Sequence, residues 1–172
     1  MSTLWFYRDP IDRLHQEALE AARRGRFAPP NVHHNHAVEQ RAVQSLKTQI
    51  NRLGLRLTPT VRNAPFDFWI EGVWVELKAA GWHQFKNTGR YQAAIRNYLA
   101  DILIFDCING TDHWHIIPMA NIKPRKSIAV WQYDPAQSAG QWLPFLENWQ
   151  ILLDTAVASP HAWQPPLFNI EA

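Results

Sequence analysis

Asp67, Glu76 and Lys78 are the residues whose types and spacing allow chemistry. They lie in Pro65-Phe66-Asp67-Phe68-Trp69-Ile70, then Glu71-Gly72, then Val73-Trp74-Val75-Glu76-Leu77-Lys78-Ala79-Ala80. Glycine at the second position of a two-residue turn suits a tight hairpin. With Ile70 paired to Val73, counting back sets Trp69 against Trp74, Phe68 against Val75, and Asp67 directly opposite Glu76. Cross-strand partners project to one side and side chains alternate, so Lys78 joins the two acids there. Facing carboxylates repel and cost stability unless a cation offsets them. A bound metal with the Lys78 ammonium beside it would do so. The opposite face carries Phe66, Phe68, Ile70, Val73, Val75, Leu77 and Ala79 without a charge, and is read as a core face. A plainer reading also fits these residues, with Asp67 as a strand-start residue and Glu76 and Lys78 as a self-neutralising solvated stripe.

The element upstream is predicted to be a helix from about His36 to Leu53, closed by Gly54. Val43, Leu46, Ile50 and Leu53 recur at helical spacing, and Glu39 falls on the same stripe. An inward carboxylate requires a partner, and one in the first turn also favours the positive end of the helix dipole. A first helix is expected over Pro10 to Arg24, capped by Asp9 and ended by Gly25. A loop with Pro29-Pro30 and His33, His34 and His36 follows it.

A strand is expected near Leu55 to Val61. Gly81 to Arg90 reads as a polar loop able to touch a ligand, and Tyr91 to about Leu99 as a helix. Apolar strands follow at Ile102 to Phe105 and Trp114 to Ile117, separated by an Asn109-Gly110 turn, with another at Ile128 to Trp131. A helix is expected around Trp142 to Leu153, then a Pro-rich tail from Ser159 that packs as a strap or contacts a second subunit. This order implies an α/β fold with a mixed central sheet flanked by helices. The 172 residues fit a single domain with its core at about 37–131, decorated by the first helix and by 132–172.

The chain is 47% hydrophobic and 12% aromatic, which excludes a disordered or low-complexity protein. The start MSTLWFYRDP lacks the pattern of a secretory signal, and no apolar run reaches membrane-spanning length, so no membrane partner is expected. The single cysteine, Cys107, fits a reducing cytoplasm. A net charge of +2 is only mildly basic, but the cations cluster at Arg23, Arg24 and Arg26 and at Lys123, Arg125 and Lys126, with Lys86 and Arg90 between. Such clusters fit phosphate contacts, and basic residues at a helix end equally complement its dipole. Neither His33, His34 and His36 nor His113 and His115 have the paired spacing of a structural zinc site.

In this order Glu39, Asp67, Glu76 and Lys78 resemble the PD-(D/E)XK nuclease superfamily, over about Ala37 to Pro118. There a Glu-bearing helix precedes a strand, a hairpin carries the Asp and the (D/E)xK, and a helix and a strand follow. Tyr91 to Arg96, Ala100 to Phe105 and His115 to Pro118 are also similar to restriction, homing and junction-resolving members. Pro65 departs from the pattern by preceding Asp67 by two residues instead of one.

The resemblance implies a restriction-endonuclease-like core and Mg²⁺-dependent hydrolysis of DNA phosphodiester bonds, with Mn²⁺ as a possible substitute. It favours site-specific double-strand cleavage of the homing or restriction type. A structure-specific repair or junction-resolving nuclease, or an inactive nucleic-acid-binding module, remains the alternative. Asp67 and Glu76 would ligate the metal with the Leu77 carbonyl, and Glu39 directly or through water. Lys78 would orient the attacking water. On the expected helix Gln92 and Arg96 lie four apart, share a face and would contact DNA, with Lys86 and Arg90 alongside. Cutting both strands at a symmetric site is most simply done by a homodimer or higher oligomer.

Overall fold

The computed structural model describes residues 36–60, 66–85, 87–96, 98–137 and 139–158. The expected first helix, the Arg23, Arg24 and Arg26 cluster, His33 and His34, the side chain of His36, Pro65, Lys86 and the tail from Ser159 lie outside the described residues.

Helix α1 spans His36–Arg52, as its periodicity predicts, and Gly54 follows with φ 71°. After β1 (Leu57–Pro59), β2 (Phe68–Ile70) and β3 (Val73–Gly81) form the predicted hairpin in the predicted register, Phe68 against Val75 and Ile70 against Val73. Glu71 and Gly72 have φ 48° and 87°, the pair of positive values that a type I′ turn demands. Glu71 tolerates this because its carboxylate accepts the Arg56 N–H at 2.7 Å.

Strands β4 (His83–Phe85) and β5 (Thr88–Ala94) follow, where a polar loop and then a helix were expected. Tyr91 and Ile95 lie four apart, a spacing that fits helical and alternating periods equally. Their partners decide it. Tyr91 pairs with Val130 and Ala93 with Ile128 on β8 (Ser127–Val130), so Tyr91, Ala93 and Ile95 face inward while Gln92 and Ala94 face solvent.

Strands β6 (Ile102–Ile108) and β7 (Trp114–Pro118) complete a five-stranded mixed sheet in the order β1-β2-β3-β6-β7, with β3 and β6 parallel and the rest antiparallel. Every residue of β6 is buried, as a central strand covered on both faces requires. Strands β4, β5 and β8 form a separate antiparallel sheet. The crossover between the parallel strands β3 and β6 therefore contains a hairpin instead of a helix.

Two apolar layers sandwich the large sheet. On one face Ala42, Leu46 and Ile50 of α1 and Leu152 of α3 (Gln150–Ala158) pack against Ile70, Val75, Leu77, Ile104 and Ile116. On the other, Trp74, Ala80, Leu103, Phe105 and Ile117 meet Tyr91, Ile95, Ile128 and Val130 of the small sheet and Met119 and Ile122 of α2 (Met119–Ile122). The fold is thus α/β with a mixed central sheet, its two longer described helices on one face and the small sheet on the other. Phe66 departs from the predicted core face. It belongs to the second layer, stacked on Trp74 at 4.7 Å between ring centroids, because β2 begins only at Phe68 and strict alternation ends there.

The helix expected from Trp142 to Leu153 begins instead at Gln150, after a 3₁₀ turn at Leu143–Phe145. Pro144 and the left-handed Glu147, φ 52°, interrupt it. Glu147 instead serves the edge of β7: its carboxylate accepts the Trp114 N–H at 2.8 Å, and its own N–H reaches the Trp114 carbonyl at 2.6 Å. An edge strand blunted in this way is protected from pairing with another chain. Among the described residues no helix is long and apolar enough to cross a membrane.

Gly89 marks where the small sheet meets Trp82. A Cβ added there would fall inside the Trp82 indole ring. Gly89→Ala is therefore expected to lower stability by about 2 kcal/mol, as overpacking of a closed contact does. A urea melt of the variant, set against a melt of Gly81→Ala, whose added Cβ meets open space at an ordinary backbone angle, checks this.

Candidate active site

Asp67 sits one residue before β2, where the hairpin ladder ends. Its N–H donates to the Val75 carbonyl at 2.9 Å, and its Oδ2 accepts the Leu77 N–H at 2.8 Å. Its carbonyl accepts both the N–H and the hydroxyl of Thr60, at 3.0 and 3.1 Å, and that hydroxyl also lies 2.6 Å from the Phe66 carbonyl. Both backbone and side chain of Asp67 are therefore fixed before any ligand arrives. Thr60 is a positioning residue that the sequence did not reveal.

Glu76 and Lys78 project from β3 on the side of Trp74 and Ala80, toward the layer beneath the small sheet. The Lys78 ammonium donates to Glu76 Oε1 in a close ion pair. Glu76 is 7% exposed, and the Lys78 side chain 27%. An edge of the lysine thus remains open to solvent while the carboxylate is enclosed.

The electrostatics follow from this enclosure. Burial raises the Asp67 carboxyl above its ordinary value, against the opposing pull of Lys78 and the Leu77 N–H. Burial first, then repulsion from Asp67, raises Glu76 to about 7. For Lys78 burial disfavours the ammonium, but Glu76 and Asp67 outweigh it and hold the amine above its usual value, so it stays protonated. Two neighbouring carboxyls with one ammonium carry an excess of negative charge when both ionise, which a poorly solvated place resists. A further cation would relieve it.

Glu39 stands exposed in the first turn of α1 and acts on Glu76 and Lys78 electrostatically, as the weakest of their named influences. Among the described residues no three His, Cys, Asp or Glu side chains gather closely enough to hold a metal jointly. The structure thus brings together Asp67, Glu76 and Lys78, and leaves Glu39 at longer range.

Gln92 and Arg96 lie on no helix. Gln92 is exposed on β5, and Arg96 is exposed just past that strand's end. Even separations keep residues on one side of an extended chain as well as of a helix, so both still face solvent. Arg90, also on β5, is half-buried with its guanidinium 4.9 Å from the Trp131 ring centroid.

His115 is buried and held neutral, its pKa lowered to about 4 by burial. Its Nδ1 lies 3.9 Å from the Cys107 sulfur, whose own pKa burial pushes up. This pair belongs to the core and leaves no accessible thiolate.

A third buried carboxylate lies on β6. Asp106 is fully enclosed, with Oδ1 accepting the His113 N–H at 3.2 Å and Oδ2 without a partner among the described residues. Burial, then Asp112, raises its pKa from 3.8 to about 8. A carboxyl raised on folding is protonated in the folded chain and ionised in the unfolded one between these values. Its contribution is therefore complete below pH 4 and drains away as pH rises toward 8. Asp106→Asn mimics the neutral acid, and is expected to stabilise the protein at pH 8 by on the order of 2 kcal/mol and hardly at pH 4. Urea melts at the two pH values check this.

With this geometry in hand, a match emerges among solved structures. The fold is similar to that of the bacterial homing endonuclease I-Ssp6803I. The two superpose with a TM-score of 0.61 at 14% sequence identity, over 73% of this chain and 97% of that one. The likeness to I-Ssp6803I thus spans nearly all of that protein, so the shared part is a whole fold and not a recurring fragment. No family model and no curated protein matches the chain.

Proposed function

We propose that the protein is a metal-dependent endonuclease of DNA. The observation that carries this reading is the enclosed, electrostatically linked group of Asp67, Glu76 and Lys78, with Lys78 paired to Glu76, on a fold similar to that of a homing endonuclease. The order of Glu39, Asp67, Glu76 and Lys78, resembling the PD-(D/E)XK pattern, supports it further.

The donor set suits Mg²⁺, which prefers carboxylate and carbonyl oxygens, and Mn²⁺ could replace it. Asp67 and Glu76 would hold the ion, with the Leu77 carbonyl as a third protein oxygen and Glu39 reaching it through water. A bound divalent ion would polarise the scissile phosphate and offset charge that builds up on it.

The rest is done by the chain. Asp67, tied to the Leu77 N–H through one oxygen, presents the other in a fixed direction. Lys78 remains an ammonium, so it orients the attacking water and stabilises negative charge instead of taking the proton. Its partial exposure leaves it a side open to substrate. Gln92, Arg96 and Arg90 contact the DNA backbone, with Lys86 joining them. Site-specific cleavage of both strands by a two-fold oligomer is the form of the reaction that best fits a homing-endonuclease fold.

The test is incubation of purified protein with supercoiled plasmid, with and without Mg²⁺, followed by sequencing of product ends. Discrete ends formed only with metal support the site-specific reading. Random nicks leave a nuclease without a target. Intact plasmid and linear duplex alongside a cut cruciform point to a junction resolvase, and no cutting of any substrate removes the proposal.

A further inference from the structure

No Asp or Glu lies between Glu76 and Asp101, and none between Asp112 and Asp134. Strands β4, β5 and β8 and helix α2 all fall within these two intervals. The small sheet and its flanking loop are thus built without a carboxylate side chain, in a chain that carries 15 acids against 17 Lys and Arg. The asymmetry is one of placement, which the net charge hides.

Pairing within the sheet turns this composition into a surface. His83 lies beside Arg90, Gln92 opposite Ala129, and Ala94 opposite Ser127. Tyr91, Ile128 and Val130 point the other way, into the core. At the sheet's end the Ile95 N–H donates to the Lys126 carbonyl at 2.9 Å, which brings the backbones of the exposed Arg96 and Lys126 to the same corner of the small sheet. The Lys123 ammonium stands 5.9 Å from the Tyr98 ring centroid and the Arg125 guanidinium carbon 5.6 Å from that of Trp142, so aromatic rings hold both charged heads while the residues stay exposed. The ion pairs between described residues, Arg41–Asp112 and Lys78–Glu76, use none of these cations.

A row of cations with no counter-charge in its own elements is what a polyanion requires. It lies on the same side of the large sheet as Glu76 and Lys78, whose lysine keeps an exposed edge. We infer that the outer face of the small sheet, together with the loop from Lys123 to Lys126, is the docking surface for duplex DNA. Arg96, Lys126 and Arg125 hold backbone phosphates. Gln92, exposed in the middle of the strand, adds an amide that can donate to the same backbone. The inference rests on the nuclease reading above and adds the place where the substrate lies.

Fluorescence anisotropy with a labelled random-sequence duplex, in Ca²⁺ to suppress cutting, tests it. Arg96→Ala with Lys126→Ala should weaken binding about tenfold and reduce the slope of log Kd against log salt by about 2, one unit for each phosphate no longer neutralised. Arg96→Glu with Lys126→Glu should weaken it further. Arg52→Ala, on the opposite side of the large sheet, should change neither quantity. All of these positions are exposed or lie in loops or at a helix end, and matching thermal melts confirm that the fold is kept. An unchanged slope in both double variants, or an equal loss in Arg52→Ala, overturns the docking surface even if plasmid is cut. A reduced slope in a protein that cuts no DNA upholds the surface and removes the hydrolytic reading instead.

Discussion

Glu76→Gln is expected to reduce Mg²⁺-dependent plasmid cleavage by about 10³-fold or more while leaving the fold at least as stable as the parent. Glutamine keeps the shape of the side chain and one oxygen, and it still accepts from Lys78. It lacks the charge that would help hold a divalent ion. In the parent, enclosure and then Asp67 raise the Glu76 pKa to about 7, so near neutral pH the charge is only partly present and a bound cation would draw it out fully. Removing the charge leaves Asp67 and Lys78 as a balanced pair. Activity and stability should therefore move in opposite directions, as they do where a site retains a charge that folding alone would discard. Single-turnover cleavage and a thermal melt without added metal, run side by side, measure the two. A variant that cuts at the parental rate would take Glu76 out of the reaction. A variant that merely unfolds would mean that the ion pair to Lys78 holds β3 together and that its charge was not spare.

The hairpin could be read from sequence because its determinants are local. Glycine at the second turn position, in a two-residue turn flanked by alternating strands, admits one register. The buried strand β6 announced itself as an unbroken apolar run, and α1 by its stripe of Val43, Leu46 and Ile50. The segment after Gly81 departs from its sequence pattern because Tyr91 and Ile95 satisfy two periods at once, and the choice between them is made by Ile128 and Val130, more than thirty residues away. No local pattern carries that information. The same limit hid Thr60, whose role exists only because the chain returns to lay it against Asp67. The type and order of the candidate site residues were visible in the sequence. The difference between Asp67, locked by three neighbours, and Glu39, exposed at the start of its helix, became visible only in the fold.

Lys78→Ala should show the reverse coupling and so separate the two roles of this lysine. Without its ammonium, Asp67 and Glu76 face each other in an enclosed place with no cation between them. Breaking a fully buried pair costs about 3–5 kcal/mol, and screening of the partly exposed lysine reduces this to roughly 2 kcal/mol. On the proposed mechanism cleavage should fall by about 10³-fold, since the group proposed to orient the attacking water is gone. If the proposed divalent ion binds here, it would supply the missing positive charge, and added Mg²⁺ should raise the melting temperature of Lys78→Ala by more than it raises that of the parent. In Lys78→Ala combined with Asp67→Asn the rise should vanish. Lys78→Arg discriminates further: it restores the charge and so most of the stability, but its planar, bulkier head cannot place a water where the compact ammonium did. Stability recovered without cleavage is the expected outcome. Cleavage recovered with stability would reduce Lys78 to a counter-ion, and a melting temperature indifferent to Mg²⁺ in every variant would remove the divalent ion from this site.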